Sequence, residues 1–357
     1  MHRLRSSAVL LLCLVAALVS ACASSPSGGR APSLAPAATE RLYWTNVLDE
    51  EELAELRELA PGLAFVHGIE REEALERAAE FHAADAHLLD EAFLERAVNL
   101  EWVQSWSAGV ERYLRLEGLR ESASITLTNM AGVHGPVIAE HVFALLLHLR
   151  RDLGPYLDAQ RDGRWDSRAA EGQVALAGST LFVAGMGGIG SEVARRGKAF
   201  DMEVLATVRT RREPPDHCDE LGTAEDLDRF LARADVVVIA LPLTDETRGL
   251  FDAERLGRIK PGAILVNVAR GPIVDTDALL AALESGRIAG ACLDVTDPEP
   301  LPADHPLWSR DDVVITPHVA GRAELTQGRR WDLFRENARR FAEGEELLNV
   351  VDKARGY

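Results

Sequence analysis

Apolar residues recur at three- and four-residue intervals between charges over Glu50 to Ala60 and Glu70 to Ala83, the period of amphipathic helices. Short apolar segments around Ala64-Phe65-Val66 and Trp102-Val103 read as strands between them. Short strands alternating with helices predict an α/β unit on a parallel sheet. Pro136 to Arg150 reads as a longer apolar helix, with proline in the first turn where a missing N–H costs little, and it is expected to bridge to a second unit. There, Thr180 to Ala184 is a strand, Ser191 to Phe200 a helix and Met202 to Val208 a strand. Asp235 to Leu241 (DVVVIAL), Ala263 to Val268 and a short strand within Val313 to Gly321 follow. Such near-continuous apolar runs suit strands buried on both faces. A length of 357 residues exceeds what one core usually supports, so two domains are predicted.

The first forty residues break this pattern. Met1 to Arg5 carries two arginines, and Ala8 to Val19 is an apolar run too short to span a bilayer as a stable helix but suited to a signal-peptide core. Ala23 to Ala38, rich in Ser, Pro, Gly and Ala, is a flexible tether. LVSAC, Leu18 to Cys22, resembles the bacterial lipoprotein signal, in which the cysteine is lipidated and becomes the first residue. That resemblance implies a signal peptide over 1–21, a tether over 22–39 and a protein held at a membrane, facing the periplasm, only through a lipid on Cys22. Translation from a later start would instead leave it cytoplasmic.

A formal charge of −18 argues against binding nucleic acid, which needs clustered Lys and Arg. No C-x-x-C pair occurs among the four cysteines, so zinc has no support there. His134, His141 and His148 stand seven residues apart, roughly 10 Å along a helix, too far for two ligands that each need about 2 Å. No metal is expected.

GMGGIG, Gly185 to Gly190, sits between a strand and a helix with a second strand beyond, the context that makes G-x-G-x-x-G meaningful. Gly185 suits the tight turn, Gly187 lets a pyrophosphate approach the backbone, and Gly190 allows close helix packing. The helix N-terminus offers unpaired N–H groups to phosphates. At the end of the next strand stands Val208 rather than an acid for ribose hydroxyls, followed by Arg209, Arg211 and Arg212. Guanidinium groups pair bidentately with phosphate, so NADP(H) is expected over NAD(H).

Arg270 ends an apolar strand, where a guanidinium needs a partner or a site. Glu299 lies in DVTDPEP and His318 in VVITPHVAG. An Arg, a Glu and a His beyond strand ends are what carbonyl reduction requires. Imidazole transfers a proton, a carboxylate on its other nitrogen orients it, and a fixed guanidinium holds a carboxylate and a developing oxyanion.

With GMGGIG, ADVVVIALPLTDETRGLF, KPGAILVNVARGPIVDTDALLAAL, GACLDVTDPEPLP and VVITPHVAG in order, the chain resembles the D-isomer-specific 2-hydroxyacid dehydrogenase family. WVQSWSAGVERY and TNMAGVHGPVIAEHV resemble its substrate loop and bridging helix. The resemblance implies two Rossmann-like, doubly wound α/β domains. One is a substrate domain over 40–133 and 323–357, the C-terminal segment returning to it, and the other a dinucleotide domain over 134–322. It implies an NAD(P)-dependent reductase of a small 2-oxo acid such as glyoxylate or hydroxypyruvate, usually a homodimer. Arg270 would bind substrate, His318 would be the acid/base and Glu299 its partner. Gly188 and Ile189 would touch the pyrophosphate, and Leu241, Pro242 and Thr247 would line the adenosine side. Val268, Ala269 and Arg270 would line the nicotinamide side, with His318 close by, and Asp294 would bond the carboxamide. Ser107, Ala108 and Gly109 would offer N–H groups to the substrate carboxylate. Trp106 is bulkier than similar sequences carry and is expected to narrow the pocket or stack over substrate. A dinucleotide-binding sensor without turnover is the alternative from another class.

Overall fold

The computed structural model describes residues 40–167 and 172–357. The expected signal segment, Cys22 and the tether lie outside the described residues. Among the described residues no helix is long and apolar enough to cross a membrane.

Two sheets carry the chain. The first joins β1 (Arg41–Trp44), β2 (Leu63–Val66), β3 (Ala83–Asp85), β4 (Trp102–Gln104) and β5 (Thr126–Thr128) in the order β2-β1-β3-β4-β5. The second joins β6 (Thr180–Ala184), β7 (Glu203–Thr207), β8 (Glu220–Gly222) and β9 (Val236–Ile239) with β10 (Ala263–Asn267), β11 (Ile288–Leu293) and β12 (Val313–Ile315). Its order is β12-β11-β10-β9-β6-β7-β8. Every strand pairing in both sheets is parallel. Parallel neighbours require crossover connections, mostly helical here, which cover the faces of each sheet. Both lobes are therefore Rossmann-like α/β units. Strand order reverses between β1 and β3 and between β6 and β9. In open α/β sheets ligands bind outside the carboxyl ends of the strands at such reversals.

Local chemistry sets the helices. Glu50–Leu59 begins at a capping box: Asp49 accepts from the Glu52 N–H at 2.9 Å, and Glu52 accepts from the Asp49 N–H at 3.0 Å. Its Leu53 and Leu56 are buried. Gly135–Arg150 packs Ile138, Val142, Phe143 and Leu146 into the core of the second lobe. The long helix Glu324–Glu343 returns to the first lobe, where Phe334, Ala338 and Phe341 share a core with Tyr43, Leu53, Leu56 and Trp102. Beyond it, Val350 forms an antiparallel bridge with Thr128.

The helix expected over Glu70 to Ala83 is shorter. It covers Arg71–Glu76, a 3-10 turn follows at Ala78–Glu80, and Ala83 starts β3. Alanine favours helix in isolation, but pairing with both β1 and β4 overrides that preference. The sequence pattern also missed β1, β5 and β8, each three or four residues long and too short for a clear period, and the six-residue β11, whose Gly and Ala positions blur its apolar run. The segment expected as a strand within Val313 to Gly321 is extended only to Ile315, because the chain turns back at His318, whose φ is 52°.

Candidate active site

Arg270 is aimed by its neighbours. Asn267, buried at the end of β10, accepts from the Ala269 N–H at 3.1 Å and donates to the Arg270 carbonyl at 3.1 Å. This turns the chain so that the guanidinium leaves the sheet edge. Its Nη1 donates to the Ala269 carbonyl at 2.8 Å, and its Nε donates to Oε1 of Glu111 at 3.2 Å. A Cβ on Gly109 would lie 1.9 Å from Arg270 Nη2, so only glycine admits this close approach. The strand-end arginine thus crosses from the second lobe to the loop after β4 of the first.

His318 is fixed from behind by Asp294, which is 3% exposed. The Asp294 carboxylate accepts from Thr316 Oγ1 at 2.7 Å and from the N–H groups of Val319 at 2.9 Å and Ala320 at 3.0 Å. Its carbonyl accepts the His318 N–H at 2.8 Å. Thr316 has one hydroxyl proton and gives it to Asp294. Nε2 of His141, 2.9 Å away, must therefore be the donor to that oxygen. The bridging helix is tied to the histidine turn in this way. His318 Nδ1 lies 2.7 Å from Oε1 of Glu299, so a carboxylate there holds the proton on Nδ1 and leaves Nε2 facing outward. The side chain that the resemblance aims at the carboxamide is thus also the anchor of the histidine turn, a role the sequence did not disclose.

The loop after β4 corrects two expectations. The Ser107 N–H is bonded to Ser105 Oγ at 3.2 Å, which removes it from the three N–H groups expected to face a substrate carboxylate. Trp106 does not cover the site. Its indole N–H bonds Oδ1 of Asp85 at 2.6 Å, and its ring lies 4.7 Å from that of Phe334. Asp85 is fully buried and also accepts from Tyr43 Oη at 2.8 Å and Thr45 Oγ1 at 2.6 Å. Burial pushes its carboxyl up, against the pull of these three donors. The sequence reading gave a role to neither Asp85 nor Glu111, although Glu111 lies within WVQSWSAGVERY.

The dinucleotide loop is packed tightly where it must be and open where a ligand would lie. Gly185 has φ 102°, and a Cβ on Gly190 would sit 1.9 Å from the Gly185 carbonyl. At Gly187, by contrast, no atom lies within 4 Å of a Cβ position. The helix Gly188–Ala199 starts there, with its free N–H groups toward that space. Thr207, ending β7, braces the loop through the Gly185 N–H at 3.3 Å and the Met186 N–H at 2.8 Å. Leu241 packs beside Gly185, and Thr247 Oγ1 donates to the Pro242 carbonyl at 2.6 Å, which shapes the adjacent rim. Val268 and Ala269 are buried beneath Arg270. Arg209 is exposed and bonds the hydroxyl of Tyr357, whereas Arg211 reaches Asp226 at 3.5 Å. Arg212 donates to the Met186 carbonyl at 3.2 Å. The open cradle, the helix terminus and these cations suit a dinucleotide. Among the described residues no group of three or more His, Cys, Asp or Glu is placed to hold a metal ion.

Residues 143–320 match the family model described as D-isomer specific 2-hydroxyacid dehydrogenase, NAD binding domain. The chain is 36% identical to a glyoxylate reductase of Pyrococcus furiosus over 295 residues, 80% of this chain and 86% of the relative. A solved D-isomer specific 2-hydroxyacid dehydrogenase of Xanthobacter autotrophicus, in complex with NADPH and MES, is 33% identical with TM-score 0.74. That match covers 90% of this chain and 100% of the other. An NADPH-dependent glyoxylate/hydroxypyruvate reductase of Sinorhizobium meliloti, in complex with NADP and sulfate, is 28% identical with TM-score 0.73, covering 89% and 100%.

His134, beside this site, yields a pH prediction. It is 8% exposed, and its Nε2 lies 2.9 Å from Arg330 Nη2, a contact only a neutral ring can accept. Burial first, then the charges of Arg330 and Arg270, push its pKa down to about 4. The unfolded chain, with an ordinary imidazole, binds more protons between about pH 6.5 and about pH 4, so stability falls as pH drops through that window. His134→Gln should abolish on the order of 2 kcal/mol of that loss, measured by urea unfolding at about pH 7 and about pH 4.5. An unchanged pH dependence would contradict the neutral buried ring.

Proposed function

The chain belongs to the D-isomer specific 2-hydroxyacid dehydrogenase family of NAD(P)-dependent oxidoreductases, and within that family we propose that it reduces a small 2-oxo acid of the glyoxylate or hydroxypyruvate class to the D-2-hydroxy acid. The observation that carries this reading is the pairing of His318 Nδ1 with Glu299 at 2.7 Å. A bound nicotinamide nucleotide would supply the hydride. Arg270 would hold the substrate carboxylate, assisted by the N–H groups of Ala108 and Gly109, and its charge would favour the oxyanion that develops at the carbonyl. His318 would deliver the proton from Nε2 while Glu299 keeps the ring in orientation. The relatives named glyoxylate reductase support this substrate class.

Steady-state kinetics of His318→Ala should show kcat reduced by roughly 10² to 10⁴. Arg270→Ala should raise KM as well, since the guanidinium holds the carboxylate in both ground and transition states. Near-wild-type kcat/KM in either variant refutes the role given to that residue.

We propose further that NADPH is preferred to NADH. Val208 offers no acid for ribose hydroxyls, Arg209 and Arg211 stand at the rim, and two similar structures were solved with NADPH or NADP. The preference should be roughly ten- to hundredfold in affinity. Replacing Arg209 and Arg211 with Ala should remove most of it, and equal kcat/KM for the two cofactors in the unmodified protein would count against it.

Two proposals concern assembly and place. Pairing of two copies through the segment after the bridging helix would cover Leu153, Leu157, Val174 and the fully exposed Trp165. Sedimentation should then give a dimer that Trp165→Asp weakens, and a monomeric unmodified protein excludes it. Lipidation at Cys22 would be seen as an acylated N-terminal cysteine by mass spectrometry of membranes from the native host. A soluble protein with unmodified Cys22 rules it out.

A further inference from the structure

Glu111 is unaccounted for by the reaction as described. It sits two residues beyond Gly109, and its Oε1 takes the Nε proton of Arg270 at 3.2 Å. A Cβ on Gly109 would lie 2.6 Å from Glu111 Oε2 and 1.9 Å from Arg270 Nη2, so the carboxylate and the guanidinium tip converge on one point of the loop. A substrate carboxylate bound by Arg270 and the Gly109 N–H would occupy that same neighbourhood. With Glu111 in place the anchor carries no net charge, and the arriving anion meets a like charge a few ångströms away.

The pair is also easily opened. Its side chains are 31% and 33% exposed, a setting in which ion pairs are weak and screened by solvent. Among the described residues Glu111 makes no other hydrogen bond, and Val110 before it is buried, so its side chain can swing away without moving the loop. Glu111 takes a single N–H of Arg270, whereas a substrate carboxylate can take two.

We propose that Glu111 competes with the substrate carboxylate for Arg270 and so sets how tightly this enzyme holds its anionic substrate. The proposal rests on Arg270 being the substrate anchor. Its consequence is a site tuned to loose binding of monoanions and to stronger rejection of 2-oxo acids that carry a second negative charge near the anchor.

The test compares Glu111→Gln, which keeps the shape and removes the charge, with Glu111→Asp, which keeps the charge. Glyoxylate KM, and the Kd of oxamate read from NADPH fluorescence in the ternary complex, should both fall roughly three- to tenfold in Glu111→Gln. The gain in kcat/KM should be larger for oxaloacetate, a dianion, than for glyoxylate. Glu111→Asp should show none of these gains. A KM and Kd that stay level or rise in Glu111→Gln overturn the proposal, because Glu111 then only props Arg270 in position. An unmodified protein that turns over no 2-oxo acid overturns the parent reading instead, and the oxamate titration still decides the role of Glu111. Oxamate that binds neither form overturns both.

Discussion

A carboxylate buried at the end of a parallel strand must find donors, and Asp294 finds them in the backbone that carries His318. Three donors converge on its two oxygens, and its own carbonyl takes the His318 N–H. Hydrogen bonds to a charged acceptor contribute roughly 1.5–3 kcal/mol each, enough to hold a histidine at φ 52° where a side chain is ordinarily disfavoured. That turn faces the imidazole toward Glu299. The pairing of His318 with Glu299 therefore depends on an interaction that touches neither side chain.

The rest of the site follows from where parallel sheets end. Arg270, Glu299 and His318 come after β10, β11 and β12, three neighbours in one sheet, so their loops leave from the same edge. Of these three, Arg270 is bonded to the first lobe, at a loop held by Asp85 through the Trp106 indole. Asp85 ends β3 at the first sheet's own reversal point, bonded to Thr45 after β1. The switch point that binds ligands in other α/β sheets is closed here by a buried carboxylate bonded to Tyr43, Thr45 and Trp106. The second lobe carries the open glycine loop, and the first lobe carries the loop that Arg270 reaches.

Most of the second lobe was legible in the sequence because its central strands are apolar runs and its glycines have a fixed geometric duty, whereas β8 and β11 were not. Gly190 is needed against the Gly185 carbonyl whatever the rest of the chain does. Arg270, Glu299 and His318 could be singled out because polar residues stand out at the ends of such runs. The first lobe was harder: Ala83–Asp85 has the composition of a helix and becomes a strand only through partners far away in the chain. Trp106 looked like a pocket residue because nothing local shows Asp85 or Phe334 waiting for it. Glu111 was hidden because its partner lies 159 positions away. Arg209 meets Tyr357 across 148 positions for the same reason. Local pattern reports which groups are polar and where strands stop, whereas pairing across lobes belongs to the tertiary fold.

The most direct measurement is of the unmodified protein with NADPH deuterated at the transferred position, followed by the configuration of the product. Hydride transfer to a 2-oxo acid requires nucleotide oxidation that depends on the 2-oxo acid, at one nucleotide per substrate. Deuterium should appear at C2 of the product, which with a 2-oxo acid larger than glyoxylate should have the D configuration. Binding of the nucleotide without transfer to any 2-oxo acid, or an L product, would contradict it.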